Sequence, residues 1–168
     1  MDRTFVASRG ILRPEKAADK DFLFLVFAST RELEMGLVDW SASQKDAFLR
    51  QQFLAQYLHY HKHYADADFQ IVECEGRPAG RLCVHRQARE IRIVDIALLP
   101  EFRGQGLGTQ LLEGVLEEGV AAELAVTIHV EKHNPAQRLY QRLGFVPVED
   151  KGVHWLMERK PSEVAIHA

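Results

Sequence analysis

Three glycines alternate in the segment Arg103-Gly104-Gln105-Gly106-Leu107-Gly108, which follows a β-rich run and opens an apolar-periodic one. Alternating glycines let a backbone approach a ligand closely. A helix start adds unpaired N–H groups and a partial positive charge. Together these form a pyrophosphate site that needs no lysine. Arg103 can add a charge-assisted contact. Two other phosphate loops are excluded. A P-loop needs lysine before its Ser or Thr, whereas Gly108 precedes Thr109. A dinucleotide loop needs its third glycine three residues after the second. Here it comes after two, and no βαβ unit opens the chain.

The elements that must position this loop can be read from periodicity. Residues 9–13 predict a first strand, closed by Pro14, and residues 19–30 an amphipathic helix. A second long helix is expected from a Ser43 cap, with Asp46 reaching back, to about Tyr64. Its inner side is expected to carry Ala47, Leu54, Ala55 and Leu58. Strands follow at 69–74 and 79–86, joined by the turn Glu75-Gly76-Arg77-Pro78. A third strand spans 90–99 and ends at Pro100. After the glycine segment comes a helix whose inner face is Leu107, Leu111, Leu112 and Val115. Leu124, Val126, Ile128 and Val130 alternate with Ala125, Thr127 and His129, as in a strand. Asn134-Pro135 starts a helix, with a side-chain cap and Pro at the first helical position. Gly144 stops it. Two strands, 145–148 and 153–158, complete the order β-α-α-β-β-β-α-β-α-β-β. The expected fold is α/β: a single domain over residues 1–168 with a mixed twisted sheet, helices on both faces and a loose tail at 161–168.

The length of 168 residues and an apolar fraction of 46% suit one ordinary domain with a real core. A net charge of −3 with no basic stripe gives no sign of a nucleic-acid partner. It favours, weakly, a cationic small partner. The start of the chain lacks the apolar stretch of a secretory signal, and the run 22–28 is too short to span a bilayer, so no membrane partner is expected. If Cys74 pairs opposite Ala79, Cys83 faces Gln70, and the thiols lie roughly 13 Å apart along the ladder, too far for a disulfide. A reducing, cytoplasmic setting is the expectation. Nothing in the sequence speaks for or against a homodimer.

The run Asp95-Ile96-Ala97-Leu98-Leu99-Pro100-Glu101-Phe102-Arg103-Gly104-Gln105-Gly106-Leu107-Gly108 resembles the strand-and-loop signature of the GNAT superfamily of N-acetyltransferases. Asn134-Pro135-Ala136-Gln137-Arg138-Leu139-Tyr140-Gln141-Arg142-Leu143-Gly144-Phe145 resembles that family's second signature, in the family's order and separation. The resemblance runs from about Phe69 to Glu158 and is loose before that. It implies acetyl-CoA as co-substrate and a primary amine as acceptor, attacking directly in a ternary complex. It further implies that Ile96, Ala97 and Leu98 hold the pantetheine arm and acetyl carbonyl by their backbone. Arg103, Gly104, Gln105, Gly106, Leu107, Gly108 and Thr109 would hold the pyrophosphate, and Asn134 would contact the cofactor. Tyr140 would protonate the leaving thiolate. No covalent enzyme intermediate is expected, because neither cysteine lies near the two signatures. The alternative is a non-catalytic acyl-CoA sensor or assembly module of the same fold.

His129 is the first candidate for the base that takes the amine's proton. It lies on the polar face of its strand, five residues before Asn134, where some family members carry a glutamate, and its ordinary pKa suits the task. A hydrogen-bonded sheet histidine is the competing reading. Glu131, Asp95 and a water chain are the reserves. His59 and His63 share a helix face, but without the metalloprotease glutamate no metal is expected. Phe27, Trp40, Tyr57 and Tyr60 are candidates for the acceptor pocket, with core packing as the plainer account of most of them.

Overall fold

The computed structural model describes residues 10–161. The expected Arg9 start of the first strand and residues 162–168 of the tail lie outside it. The elements are β1 (Gly10–Pro14), α1 (Lys20–Ser29), α2 (Glu32–Gly36), α3 (Ala42–His63), β2 (Asp68–Cys74), β3 (Arg77–Arg86), β4 (Glu90–Leu98), α4 (Leu107–Ala122), β5 (Ala125–Glu131), α5 (Gln137–Arg142), β6 (Val146–Asp150) and β7 (His154–Arg159). The expected order holds, with one addition. The sequence reading missed α2, whose five residues are too few to show a period.

Seven strands form one mixed sheet in the order β1-β2-β3-β4-β5-β7-β6. Among the described residues only β4 and β5 pair in parallel. A parallel pair needs a crossover, and α4 supplies it. Alternation along the strands sends apolar side chains to both faces. On one face Val72, Leu82, Ile91, Ile93, Val126 and Ile128 meet Leu107, Leu111, Leu112 and Val115 of α4, together with Tyr140 of α5 and Phe145 beyond it. On the other face Ile71 meets Leu23, Phe24 and Phe27 of α1 and Phe53 of α3. Helices therefore cover both faces. No helix among the described residues is long and apolar enough to cross a membrane.

The α3 helix departs from its expectation in both its cap and its buried face. It is capped by Ser41, not Ser43. Ser41 Oγ accepts from Gln44 N at 3.1 Å, and Ser41 N donates to Gln44 Oε1 at 2.8 Å. Two overlapping Ser-x-x-polar boxes compete here, and the earlier one is used. Its inner stripe is the buried Phe53 with the half-buried Leu49 and Tyr57; Ala47, Leu54, Ala55 and Leu58 are exposed. Both stripes have helical spacing. The one with the large rings wins, because a buried Phe alone contributes about 2 kcal/mol.

The β2–β3 hairpin also differs. Cys74 lies opposite Arg77 and Cys83 opposite Phe69, with a bulge at Val72/Glu73. Cys74 belongs to the cluster under α4. Cys83 sits between Leu82 and Val84 of that same cluster, so alternation points it to the opposite face. Both cysteines are buried and free.

Candidate active site

The site begins with a break in pairing. β4 and β5 pair from Glu90↔Ala125 to Ile93↔Ile128 and then part. Past that point β4 keeps only β3, with Leu82↔Ile96, Arg81↔Ala97 and Gly80↔Leu98. β5 keeps only β7, with His129↔Leu156 and Glu131↔His154. The cause lies in β4 itself. Cys83 pairs with Asp95 and Val84 with Ile93, leaving Val94 as an extra residue. Such a bulge bends its strand and raises the local twist. The result is a gap between β4 and β5 beyond the last pair, with Ile96, Ala97 and Leu98 along the β4 arm.

The glycine loop closes the gap at its carboxyl end. Gly104 and Gly106 have φ of 72° and 85°. A side chain at either would meet nothing within 4 Å, so glycine is needed there for conformation and the space beside it is open. The first turn of α4 then points its unpaired N–H groups into that space. Arg103 is tethered, its Nε donating to Leu98 O at 2.9 Å and its Nη2 to Ser29 Oγ at 3.2 Å. Gln105 Nε2 donates to Glu101 O at 2.9 Å. Leu107 is buried in the core, whereas Thr109 is half-buried. An open cradle of backbone donors beside an unfilled strand edge fits a pyrophosphate with an extended amide-bearing arm.

The second signature lies across the gap. Asn134 Oδ1 accepts from Ala136 N at 2.8 Å, so its side chain caps the turn. Regular helix starts at Gln137, two residues later than expected. At the other end Phe145 N donates to Tyr140 O and Gly144 N to Gln141 O, both at 3.0 Å, with Gly144 at φ 96°. This pair of bonds is the Schellman stop. It holds Tyr140 buried, edge-on to Phe145. Burial, and then the charge of Asp95, push the Tyr140 phenol up to about 12.

Asp95 occupies the middle of the gap. It lies directly opposite Cys83 on the α1/α3 face. Arg81, itself 3% exposed, stands between two carboxylates, with Nε 3.6 Å from Asp95 Oδ2 and Nη2 3.6 Å from Glu15 Oε1. His61 Nε2 is 3.4 Å from the other Glu15 oxygen. Burial raises the Asp95 pKa; Arg81 and the Ile96 N–H oppose that rise. Tyr60 is also raised, by burial and then by Asp95. One carboxylate thus acts on a phenol at each face of the sheet. Sequence reading kept Asp95 in reserve and missed Arg81. The available signal was a pair of opposite charges interrupting two adjacent buried strands.

The cysteine expectation needs correction. Cys83 is remote from the signatures along the chain, yet β3 places it opposite Asp95. Burial pushes its thiol up to about 12. A buried, protonated thiol is a poor nucleophile.

A cleft of about 410 Å³ lies between the end of α3, β4 and β5 at the edge of the gap, and the β6–β7 turn. Tyr60, Arg92, Val94, His129, Lys151 and His154 are among its walls. His129 is exposed, with Arg92 Nη1 3.5 Å from its Nδ1. Burial and then the Arg92 charge lower its pKa below the usual histidine value. Glu131 points to Arg31 at 3.8 Å. Of the aromatic candidates only Tyr60 reaches this cleft. Phe27 and Tyr57 pack on Phe53, and Trp40 on Phe48. The His59 and His63 rings lie 4.4 Å apart, tilted by 43°, and among the described residues no three His, Cys, Asp or Glu gather as metal ligands.

The model of the acetyltransferase (GNAT) family matches residues 33–145. A Bacillus subtilis (strain 168) protein, provisionally named a ribosomal protein bS18-alanine N-acetyltransferase, is 32% identical over 106 residues, which is 61% of this chain. The match spans 64% of that relative's length. Among solved structures, the PaiA N-acetyltransferase of Thermoplasma acidophilum in complex with coenzyme A is similar at TM-score 0.66 and 20% identity, over 90% of this chain and 98% of its own. An acetyltransferase from Thermus thermophilus is similar at TM-score 0.65 and 22% identity, over 92% of this chain and 98% of its own. At these identities the structural likeness is one of fold. The parting of β4 from β5 and the loop that follows β4 stand within the matched residues, and the chain belongs to the acetyltransferase (GNAT) family.

Proposed function

We propose that this chain moves an acetyl group from acetyl-CoA to a primary amine by direct attack within a ternary complex. The observation that carries the reading is the gap beyond Ile93↔Ile128, where the β4 arm leads to the glycine loop and Ile93 and Val94 stand in the wall of the cleft. Two reactants can therefore meet through the sheet, each from its own side. In that reaction the amine nitrogen bonds to the thioester carbon, the carbon–sulfur bond breaks, the amine loses one proton and the thiolate gains one.

The backbone of Ile96, Ala97 and Leu98 lies where it can hold the arm and the polarised carbonyl oxygen. Arg103 to Thr109 hold the pyrophosphate through backbone N–H groups, and Asn134 shapes the turn beside it. Tyr140 stays protonated at neutral pH and donates its proton to the departing sulfur. The burial that raises the phenol also raises the basicity of a thiolate beside it, so the two stay matched. His129 is unprotonated at neutral pH and faces the acceptor side, so it can take the amine's proton. Asp95 is the second candidate, a carboxylate of raised pKa inside the gap.

The test is release of CoA from acetyl-CoA against a panel of amines. The panel includes peptides that begin with alanine, since the Bacillus subtilis relative is named for such an acceptor. Acceptor-dependent release supports the proposal. Tight CoA binding without release for any acceptor replaces it with the sensor reading.

A further inference from the structure

The walls of the acceptor-side cleft have a chemistry of their own. Two are cations, Arg92 and Lys151; the others include three histidines and two tyrosines, and none of the described residues that line it is a carboxylate. Glu90 and Glu149 are paired with these cations, while Asp95 follows Val94 in the chain and acts on Tyr60 from the gap. Glu90 Oε2 meets Arg92 Nη2 at 2.8 Å and accepts from the Thr127 hydroxyl at 2.7 Å. Arg92 Nε is a further 2.7 Å from Thr127 Oγ1. The guanidinium is thus braced from one side, and its Nη1 faces His129 and the cleft. Lys151 lies on the turn between β6 and β7, with Glu149 at 3.2 Å as an exposed partner. Exposed pairs of this kind exchange readily and hold little free energy.

An amine acceptor is itself cationic before it reacts. Arg92 and Lys151 in the walls would repel it, unless the acceptor brought a negative group to meet them. We propose that the acceptor carries a carboxylate, held by Arg92 and Lys151, while its amine reaches the gap at Val94. Arg92 offers a fixed donor geometry suited to a carboxylate, and Lys151 a mobile point charge at the rim. The volume of about 410 Å³ is that of a small-molecule site. Tyr60 and Tyr64 add ring surface for an apolar or aromatic body. The favoured class is therefore an amino acid or a related amino carboxylate, in contrast to the cationic acceptor that the net charge of the whole chain weakly favours.

This inference rests on the acyl-transfer reading, and the experiment separates the two. CoA release is measured for matched pairs: lysine against 1,5-diaminopentane, and phenylalanine against 2-phenylethylamine. The carboxylate-bearing member should show at least about tenfold higher kcat/KM. Lys151→Met should raise its KM by about fivefold, and Arg92→Lys, which keeps the charge and loses the fork, should raise it as well. Both should shrink the ratio within each pair. Lys62→Met, on the exposed side of α3, should leave that ratio as it is. Equal or faster turnover of the amines without carboxylate, or of an alanine-headed peptide alone, would overturn the inference and leave the acyl-transfer reading standing. A ratio insensitive to Lys151→Met and Arg92→Lys would also overturn it. CoA binding with no release from any amine defeats both.

Discussion

Ile93 and Ile128 are the last residues at which β4 and β5 pair, and every residue proposed for the chemistry lies at or beyond that point. Up to Ile93 the two strands are an ordinary parallel ladder under α4. After it, β4 carries the extra residue Val94 and the two strands no longer pair.

Tyr140→Phe removes only the phenolic oxygen of a buried ring. The ring keeps its edge contact with Phe145, so the thermal midpoint and CoA affinity should change little. Turnover should fall on the order of 10²-fold, the usual scale for losing a positioned proton donor. Steady-state kinetics paired with calorimetry decide this; unchanged kcat removes Tyr140 as the acid.

The pH profile separates the two candidate bases. The His129 pKa lies below the usual 6.5, so the imidazole protonates only as the pH falls beneath that value. If His129 takes the proton, kcat/KM declines on the acid side and the decline disappears in His129→Gln. If Asp95 takes it, the decline survives in His129→Gln and disappears in Asp95→Asn. Profiles of the two variants, measured with one amine, give opposite answers.

Gly80 tests the backbone that faces the gap. A Cβ there would lie 2.1 Å from Ala97 O and 2.9 Å from Leu98 Cα, both main-chain atoms that no rotamer change can move. Gly80→Ala should cost about 2–4 kcal/mol and displace the end of β4. CoA affinity should fall with it. Gly106→Ala meets open space but must hold φ of 85°, so its stability cost should be smaller, about 1–2 kcal/mol, with a comparable loss of CoA affinity. Urea unfolding and CoA titration of both variants check the contrast.

Arg13 ties β1 to the start of α1. It meets Asp19 at 2.8 Å and Glu73 at 2.9 Å, and its hydrogen bonds hold the Asp19 carboxyl below the usual carboxylate range. A carboxyl whose folded pKa is depressed adds stability above its unfolded pKa and loses it as the pH falls through the folded value. Arg13→Ala should therefore lower the unfolding midpoint at pH 7 and lower it much less near pH 2. Denaturant titrations at the two pH values measure the difference.

The glycine loop and the turn at Asn134 were legible along the chain because their determinants are local. Gly104, Gly106 and Gly144 mark positive φ, Asn134 caps its own turn, and the apolar spacing from Leu107 to Val115 names the face of α4 that packs. Each depends on neighbours within a turn or two. The stripe of α3 was misread because two sets of residues share the helical period, and only docking against Ile71 selects Phe53 over Leu54. The hairpin register was misread because a bulge adds a residue that no alternation reveals.

The class of fold, the order of its main elements and the loop from Arg103 to Thr109 follow from the chain alone, through periodicity and backbone chemistry. What meets across the sheet does not; that depends on how the strands come together. The folded sheet set Cys83 and Arg81 beside Asp95, and Arg92 beside His129. It also gathered Tyr60 and Lys151 from distant elements into one cleft. Pairing partners, burial and the electric field at a carboxylate are properties of strands brought side by side, and no spacing along one strand contains them.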